Sequence, residues 1–509
     1  MVMSDSRQRK LGTVLSYAYS VAQAIVYIIY VPLLLSGIGP DEYGLYQLVG
    51  SMAAYIVSIG NILSYGVGRY YCMYCAEDDV RNMENTLAIA KRLYWAFSVI
   101  AFAAFGLLAG AVQLIYANSF SASQLHECSA MLIVLAVNLM VTMNNAINVA
   151  AIAARERFVF QNTVQLVMLV AQPVLVIISI QFMPNALMAT LIVLFANCLA
   201  SLIRRFYATS VLKAKHTYHG WDKGLATGLV RFSGVILLVT VADQIFWNTD
   251  QLIIGYFFNA GAVAIYAVGS QIFKAYMPIG TAISGVFLPQ ISRLYHRDND
   301  MKAIEGLLLK VGRIAAYALL LVLSGFIVFG QSFITLWVGD GYMSAFWIAL
   351  VIMAPFTIDL IQNTWLTLLQ VMNKYLFRGI MYLIISVCNL FATVFAVQQF
   401  GIVGAACVTA ISCLLGNGVV MNWYYAKKIG INVKAFWISI CKIVVLAVCA
   451  SFVAAPVWSL ITSSIGLSWI AFAIGVLVYL VIYFVIMYVF AMNPYERSLV
   501  KKCSMLNRR

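Results

Sequence analysis

Long apolar stretches separated by short polar turns dominate this sequence of 509 residues. A helix of roughly 20 apolar residues crosses the hydrocarbon core of a bilayer, and most of these stretches are at least that long. The pattern predicts an all-α membrane protein with about fourteen spanning helices. The predicted spans are 11–37, 44–70, 91–116, 128–153, 157–182, 185–206, 228–258, 261–291, 311–337, 343–373, 375–398, 401–426, 433–458 and 467–492.

A polar, basic loop at 207–227 follows the first six spans, and the next six end at 426, which predicts an N-terminal lobe at 11–206 and a C-terminal lobe at 228–426. A weak internal repeat supports two related halves, because Tyr46 and Ile59-Gly60 recur as Tyr266 and Ile279-Gly280. Transporters are often built from such repeated halves. The remaining predicted segments are a tail at 1–10, two extra helices at 433–492 and a second tail at 493–509.

The basic residues are confined to one side of this predicted topology. The chain has 32 Lys and Arg against 18 Asp and Glu, and every cation except Lys274 falls in a tail, loop or helix end on the same side. Because basic segments stay cytoplasmic during insertion, we expect a multi-pass protein of the cytoplasmic (inner) membrane with both termini inside. The cations are scattered over short loops, so we expect them to meet membrane lipids and not nucleic acid.

Four ionisable residues lie in the central part of their predicted spans: Asp243, Asp250, Lys274 and Asp359. A charge at the centre of a bilayer costs about 2.5–3.5 kcal/mol on insertion scales, so such groups face a cavity or a partner. Lys274 would either bind a pyrophosphate or acidic sugar, or form a structural salt bridge with Asp243 or Asp250. Asp359 would either be kept protonated by burial or carry a coupling proton.

Four further residues are candidates for substrate binding. Arg69 and Arg231 lie near the inner ends of their spans, where they would extend to the headgroups or form a basic mouth that captures a phosphate. Trp247, between the two aspartates of its span, is a candidate for stacking on a sugar. Asn145 belongs to a run of amides that would either hydrogen-bond between helices or meet sugar hydroxyls.

The sequence offers little for catalysis or cofactor binding. Cys72 and Cys75 form a CxxC pair, but no second ligand pair is near, so we expect neither a zinc site nor any other cofactor. There is no Gly-rich phosphate loop of the ATPase kind. The predicted outward turns are short, which leaves no room for the catalytic groups of a glycan polymerase or ligase, and we expect no enzymatic activity.

Two segments, Gly37 to Tyr71 and Asn248 to Ser270, resemble the starts of the two halves of oligosaccharide flippases. These flippases form the polysaccharide transporter branch of the multidrug/oligosaccharidyl-lipid/polysaccharide exporter superfamily. The resemblance implies two six-helix lobes around a central cavity, alternating access, and export of an undecaprenyl-pyrophosphate glycan. Lipid II flippases of the superfamily carry basic residues in their first helix. This chain has none between Lys10 and Arg69, which argues against lipid II.

The resemblance leaves a second reading open, a drug/cation antiporter of the multidrug and toxin extrusion kind. Such an antiporter would use cavity carboxylates for cations, whereas Lys274 favours an anionic substrate. We therefore expect a flippase of lipid-linked oligosaccharides for cell-surface polysaccharide, with that lipid, membrane lipids and glycan assembly proteins as partners.

Overall fold

The computed structural model describes residues 5–285, 287–298 and 300–498, without the side chains at 5–6, 9–10, 17, 21, 61–65, 230–239 and 285. Helices joined by short turns make up this part of the chain, and no strand occurs in it. The helices are α1 (Asp5–Ile38), α2 (Pro40–Ala76), α3 (Val80–Ile115), α4 (Ala122–Ala154), α5 (Phe158–Ile180), α6 (Ala186–Phe206), α7 (Lys223–Phe257), α8 (Ala260–Gly285), α9 (Leu288–His296), α10 (Met301–Val338), α11 (Met343–Ile361), α12 (Asn363–Val371), α13 (Tyr375–Cys413), α14 (Met421–Tyr424), α15 (Val433–Ile465) and α16 (Trp469–Ile486). Wider helical turns extend them at Tyr207–Val211, Leu414–Val420, Tyr425–Ile429 and Met487–Ala491.

In the described part of the chain, 11 helical stretches are long and apolar enough to cross a membrane. One of them, Tyr375–Ile429, has 55 residues and breaks at Gly401, whose φ of 66° lies outside the helical range. A stretch of that length suffices for two crossings of roughly 20 residues each. Two long helices outside the 11, α2 and α7, have 37 and 35 residues. The all-α membrane fold is confirmed, and the count of fourteen spans stays a prediction.

The chain forms two compact units, and the boundary between them lies inside α8, after Ala267. This boundary follows from compactness, whereas the predicted boundary at 207–227 follows from a polar loop and an internal repeat. The two predicted lobes therefore stay a prediction. In unit 1, α3 packs on α4, α1 on α5, and α4 on α2 and α6. In unit 2, α10 packs on α11 and α15, α11 on α13, and α15 on α16.

The α2–α7 pair is one of the two most extensive helix pairs of unit 1, together with α3–α4. Ser51 contacts Gln251, whereas Gly66, further along α2, lies against Leu229, near the start of α7. The two helices therefore run antiparallel and touch along most of their length. A Cβ at position 66 would be 3.0 Å from the carbonyl oxygen of Leu229, so this approach needs glycine. We call this contact the α2–α7 seam.

Candidate functional site

Polar side chains lie at the centre of the α2–α7 seam. The Ser51 hydroxyl donates a hydrogen bond to Oε1 of Gln251 at 2.5 Å, and the hydroxyl oxygens of Tyr55 and Thr249 are 2.6 Å apart. Ser51, Thr249 and Gln251 are buried. Since a buried polar group without a partner is costly, these pairs specify the register in which the two helices meet.

Asp250 belongs to the same buried layer. Its side chain is only 2% exposed and accepts a hydrogen bond from the hydroxyl of Tyr266 on α8. A buried carboxylate held by a tyrosine is a structural group of unit 1, well placed to fix α7 against α8. This geometry favours a structural role for Asp250 over direct contact with a substrate.

Asp243 and Trp247 lie one turn apart on α7, toward its middle. Both side chains are half-buried, and the Trp247 ring packs edge-on against Phe246, with centroids 5.3 Å apart. Positions four residues apart share one face of a helix. A half-buried carboxylate and indole on one face suit contact with sugar hydroxyls and a sugar ring.

Lys274 lies in unit 2, near the middle of α8, and its side chain is exposed. Its neighbours Phe273 and Tyr276 are buried, and the Tyr276 hydroxyl is 2.7 Å from that of Thr357 on α11. Among the described residues of unit 2, none forms an ion pair or hydrogen bond with Lys274. The salt bridge to Asp243 or Asp250 would join unit 1 to unit 2, and it stays a prediction.

Asp359 lies in the last turn of α11, because the helix ends at Ile361. Its carboxylate interacts electrostatically with Arg378, in the first turn of α13. Arg378 donates a hydrogen bond from Nη1 to the hydroxyl of Tyr375 at 2.8 Å and lies over the ring of Tyr382 at 5.8 Å. The sequence does not identify Arg378 as the charge partner of Asp359, because Arg378 resembles the other cations at helix ends.

The remaining candidates lie apart from these groups. Arg69 is exposed on α2, two turns before its end, and the side chain of Arg231 lies outside the described part of the chain. Asn145 is 5% exposed and accepts a hydrogen bond from Asn148 at 3.3 Å, within α4. The Asn145 amide is thus committed to the interior of unit 1, which favours helix packing over sugar binding.

The sequence matches one described family. Residues 37–346, more than half of the chain, match the family described as polysaccharide biosynthesis protein. No curated protein sequence matches the chain. The matched range covers both segments, 37–71 and 248–270, that carried the resemblance in the sequence.

Solved structures of transporters share the fold. The lipid II flippase MurJ, in an inward closed conformation, is 15% identical, with a TM-score of 0.68 over 96% of this chain and 99% of that chain. An inward-facing multidrug resistance MATE family transporter of the MOP superfamily is 11% identical, with a TM-score of 0.64 over 82% and 98%. A MOP superfamily transporter from Pyrococcus furiosus is 14% identical, with a TM-score of 0.53 over 85% and 95%. At these identities the likeness shows the fold, and it confirms the predicted superfamily architecture.

Proposed function

Because the chain belongs to the polysaccharide biosynthesis protein family, we propose that it is a flippase for a lipid-linked oligosaccharide. The proposed substrate is an undecaprenyl-pyrophosphate glycan, moved across the cytoplasmic membrane during assembly of surface polysaccharide. The MOP superfamily fold supports a transporter, because it is the fold of a lipid flippase and of multidrug transporters. We propose no enzymatic activity and no cofactor.

The observation that carries this proposal is the exposed side chain of Lys274 near the middle of α8, which has no ion-pair partner among the described residues of unit 2. Contact of a charge with hydrocarbon at that depth costs about 2.5–3.5 kcal/mol, so the group is expected to face water. Lysine binds phosphate as a point charge. We assign to Lys274 the binding of the pyrophosphate or of an acidic sugar during its passage.

Asp243 and Trp247 are proposed to bind the glycan part of the substrate. Their half-buried side chains share one face of α7 and offer a hydrogen-bond acceptor and an aromatic surface. Asp250 and Asp359 are instead proposed to hold the helices in place, through Tyr266 and Arg378 respectively. The proposed recognition thus combines one cation for the phosphate with neutral or weakly charged contacts to sugar.

Alternating access is the proposed mechanism, and it requires the α2–α7 seam to open. α2 belongs to the predicted first lobe and α7 to the predicted second lobe. Motion of one lobe against the other therefore breaks hydrogen bonds such as that between Ser51 and Gln251. Parting of the seam breaks these hydrogen bonds, each of about 0.5–1.5 kcal/mol net, and exposes the packed faces of both helices, so the proposed cycle has to offset that cost.

A drug/cation antiporter is the alternative, and the MATE neighbours share its fold. An antiporter of that kind needs carboxylates that are free to exchange a proton for a cation. Asp250 is engaged with Tyr266, and Asp359 lies near Arg378, whereas Lys274 is an exposed cation on α8. These surroundings favour an anionic substrate.

The proposal is tested with purified protein in proteoliposomes that contain a fluorescent undecaprenyl-pyrophosphate oligosaccharide. Flipping is measured as the fraction of label that becomes accessible to a membrane-impermeant quencher. We expect protein-dependent flipping that Lys274→Met abolishes. A parallel assay measures proton-coupled uptake of a cationic dye. Dye uptake without glycan-lipid flipping would establish the antiporter instead.

A further inference from the structure

A second site lies within unit 1, away from the groups described so far. A pocket of about 480 Å³ is formed by α3, α4 and α6 together with the segment that follows α6. Its lining includes Lys91 on α3, Arg205 on α6 and His216 in that segment. The three basic side chains come from three places in the sequence and meet only in the folded unit.

The electrostatics of this pocket favour an anion. Burial, followed by repulsion from Lys91 and Arg205, lowers the pKa of His216. The pocket lining contains no Asp or Glu. Glu84 on α3 is engaged with His219, in the segment after α6, with Nε2 and Oε2 3.0 Å apart.

Amide oxygens lie deeper in the same pocket. Asn148, only 5% exposed, and Asn144 line it, and Oδ1 of each has no hydrogen-bond partner among the described residues. Nε2 of His216 likewise has none among them. A buried amide oxygen without a donor is costly, so these acceptors suit a ligand that brings hydroxyl groups.

The mouth of the pocket opens on an apolar surface. Trp95, which lines it, is 49% exposed, and one turn further along α3 Val99 is 60% exposed. On α6, Leu202 is 62% exposed, one turn before Arg205. Exposed apolar side chains of this kind on membrane-length helices face hydrocarbon. A ligand held here would therefore have an apolar tail beside Trp95 and a polar head among the basic groups.

Several contacts hold the segment that closes the pocket. The backbone N–H of His219 donates to Oδ1 of Asn85 at 3.0 Å, and the Arg92 guanidinium lies 3.3 Å from the centroid of the Tyr218 ring. Arg155 donates a hydrogen bond to the carbonyl oxygen of Leu212. These contacts fix His216 in place, so the pocket is preformed.

From these observations we propose that the pocket binds a phospholipid of the surrounding leaflet with an anionic, hydroxylated headgroup, such as phosphatidylglycerol. Lys91 and Arg205 bind the phosphate, the oxygens of Asn144 and Asn148 accept hydrogen bonds from the headgroup hydroxyls, and an acyl chain lies along Trp95. Basic pockets between membrane helices are known to take anionic headgroups.

A transported lipid phosphate or free phosphate has related chemistry, but the geometry favours a resident phospholipid. The binding groups all belong to unit 1, and the segment that carries His216 is tied to α3 by the contacts above. A fixed site open to hydrocarbon suits a lipid that stays bound, whereas a transported lipid has to be released.

The test uses the protein purified in detergent and phospholipids with brominated acyl chains, which quench nearby tryptophan fluorescence. Subtracting the signal of Trp95→Phe from that of the wild type isolates the contribution of Trp95. We expect brominated phosphatidylglycerol to quench Trp95 at roughly tenfold lower concentration than brominated phosphatidylcholine. Lys91→Gln/Arg205→Gln should remove that preference. Lys91→Arg/Arg205→Lys should keep it.

The matched control is Lys213→Gln/Lys215→Gln. It also removes two positive charges, but from the segment that carries His216 and from positions that do not line the pocket. It should leave the preference unchanged, and an equal loss would overturn the proposal in favour of diffuse attraction. Equal quenching by both lipids in the wild type would overturn it even if a variant failed to fold. Displacement of the brominated lipid by undecaprenyl phosphate at lower concentration than by phosphatidylglycerol would assign the pocket to the transported lipid. Displacement by millimolar inorganic phosphate would assign it to free phosphate.

Discussion

Arg313 and Glu496 form a bidentate ion pair that fastens the chain after α16 to α10 in unit 2. Nε of Arg313 is 2.6 Å from Oε1 of Glu496, and Nη2 is 2.9 Å from Oε2. Arg313 is 9% exposed and Glu496 6%, and the guanidinium also donates to Ser439 on α15 and to the carbonyl of Ala491. The end of the described chain is thus an integral part of unit 2.

Removal of the acid from this pair should destabilise unit 2 strongly. In Glu496→Leu, the buried Arg313 loses its counter-charge, which costs on the order of 3–5 kcal/mol. Unfolding of the purified protein in mixed micelles measures the loss. The control is Glu305→Gln, since Glu305 is half-buried and accepts one backbone hydrogen bond, from Asn432 at 2.9 Å. Equal effects of the two substitutions would contradict the prediction.

The same pair predicts a pH dependence of stability. Burial raises the pKa of Glu496, but the hydrogen bonds from Arg313, the Asn493 backbone and Tyr317, together with the charge of Arg313, outweigh burial and hold the pKa below its ordinary value of 4.5. A carboxylate with a lowered pKa stabilises the fold above its unfolded pKa, and the contribution is lost as pH falls through the folded pKa. The stability difference between wild type and Glu496→Gln should be constant from about pH 7 to 5 and shrink below about pH 4.5. A difference that stays constant down to pH 3.5 would show that Glu496 does not titrate with the fold.

Lys274 should be required for transport and not for folding. Lys274→Met keeps the length of the side chain and removes its charge, so we expect flipping to be abolished. Lys274→Arg should retain part of the activity. Asp243→Asn should disturb flipping less than Lys274→Ala, because it leaves the cation free. Proteoliposome flipping at equal protein levels measures all four, with Lys302→Met as the control outside the span. Normal flipping by Lys274→Met would disprove a role for the cation.

Asp250 should matter for stability more than for substrate. Asp250→Ala and Tyr266→Phe each break the buried hydrogen bond between α7 and α8, at a cost of about 1–3 kcal/mol. The double variant should lose less than the sum of the two, because both substitutions remove the same interaction. Flipping per folded molecule should stay near the wild-type rate. A transport defect in Asp250→Asn with unchanged unfolding would place the carboxylate at the substrate instead.

The α2–α7 seam should have to open during each transport cycle. The test uses the variant Ser51→Cys/Gln251→Cys in a background without native cysteines. A short bifunctional thiol reagent with a reducible bond links the two cysteines, which should stop flipping. Reduction of that bond should restore flipping. The control joins α2 to α4 through Gly60→Cys/Met143→Cys, at positions in contact within the predicted first lobe. That link should leave flipping intact. Wild-type flipping with the seam linked would rule out opening there.

The membrane helices and the position of Lys274 could be predicted from the sequence, because both depend on local hydrophobicity. The surroundings of Asp359 could not. Its predicted span, 343–373, contains a break at Gln362 that no glycine or proline marks in the sequence. The amide of Gln362 donates to Oδ1 of Asn422 at 2.5 Å, so a long-range hydrogen bond supports the break. Asp359 therefore lies at a helix end and near Arg378.

The basic pocket of unit 1 was beyond prediction for a related reason. Lys91, Arg205 and His216 each resemble the other cations of the basic side, and more than a hundred residues separate the first from the others. The amide-rich run around Asn145 could be recognised as a polar region of α4. The packing of α4 on α3 and α6 decides which asparagines of α4 are buried between helices and which line the pocket, and the sequence does not show that packing.

Next to the α2–α7 seam, the backbone of α2 is in direct contact with that of Ala260, the first residue of α8. A Cβ at Gly44 would lie 1.8 Å from the carbonyl oxygen of Ala260, so no larger residue fits at position 44 while the helices are closed. A single methyl group there would act as a wedge, raising the free energy of the closed conformer and leaving the parted one untouched. Every 1.4 kcal/mol shifts the ratio of two conformers about tenfold. In the proposed alternating-access cycle, the population of the closed conformer would therefore depend on the size of the side chain at position 44.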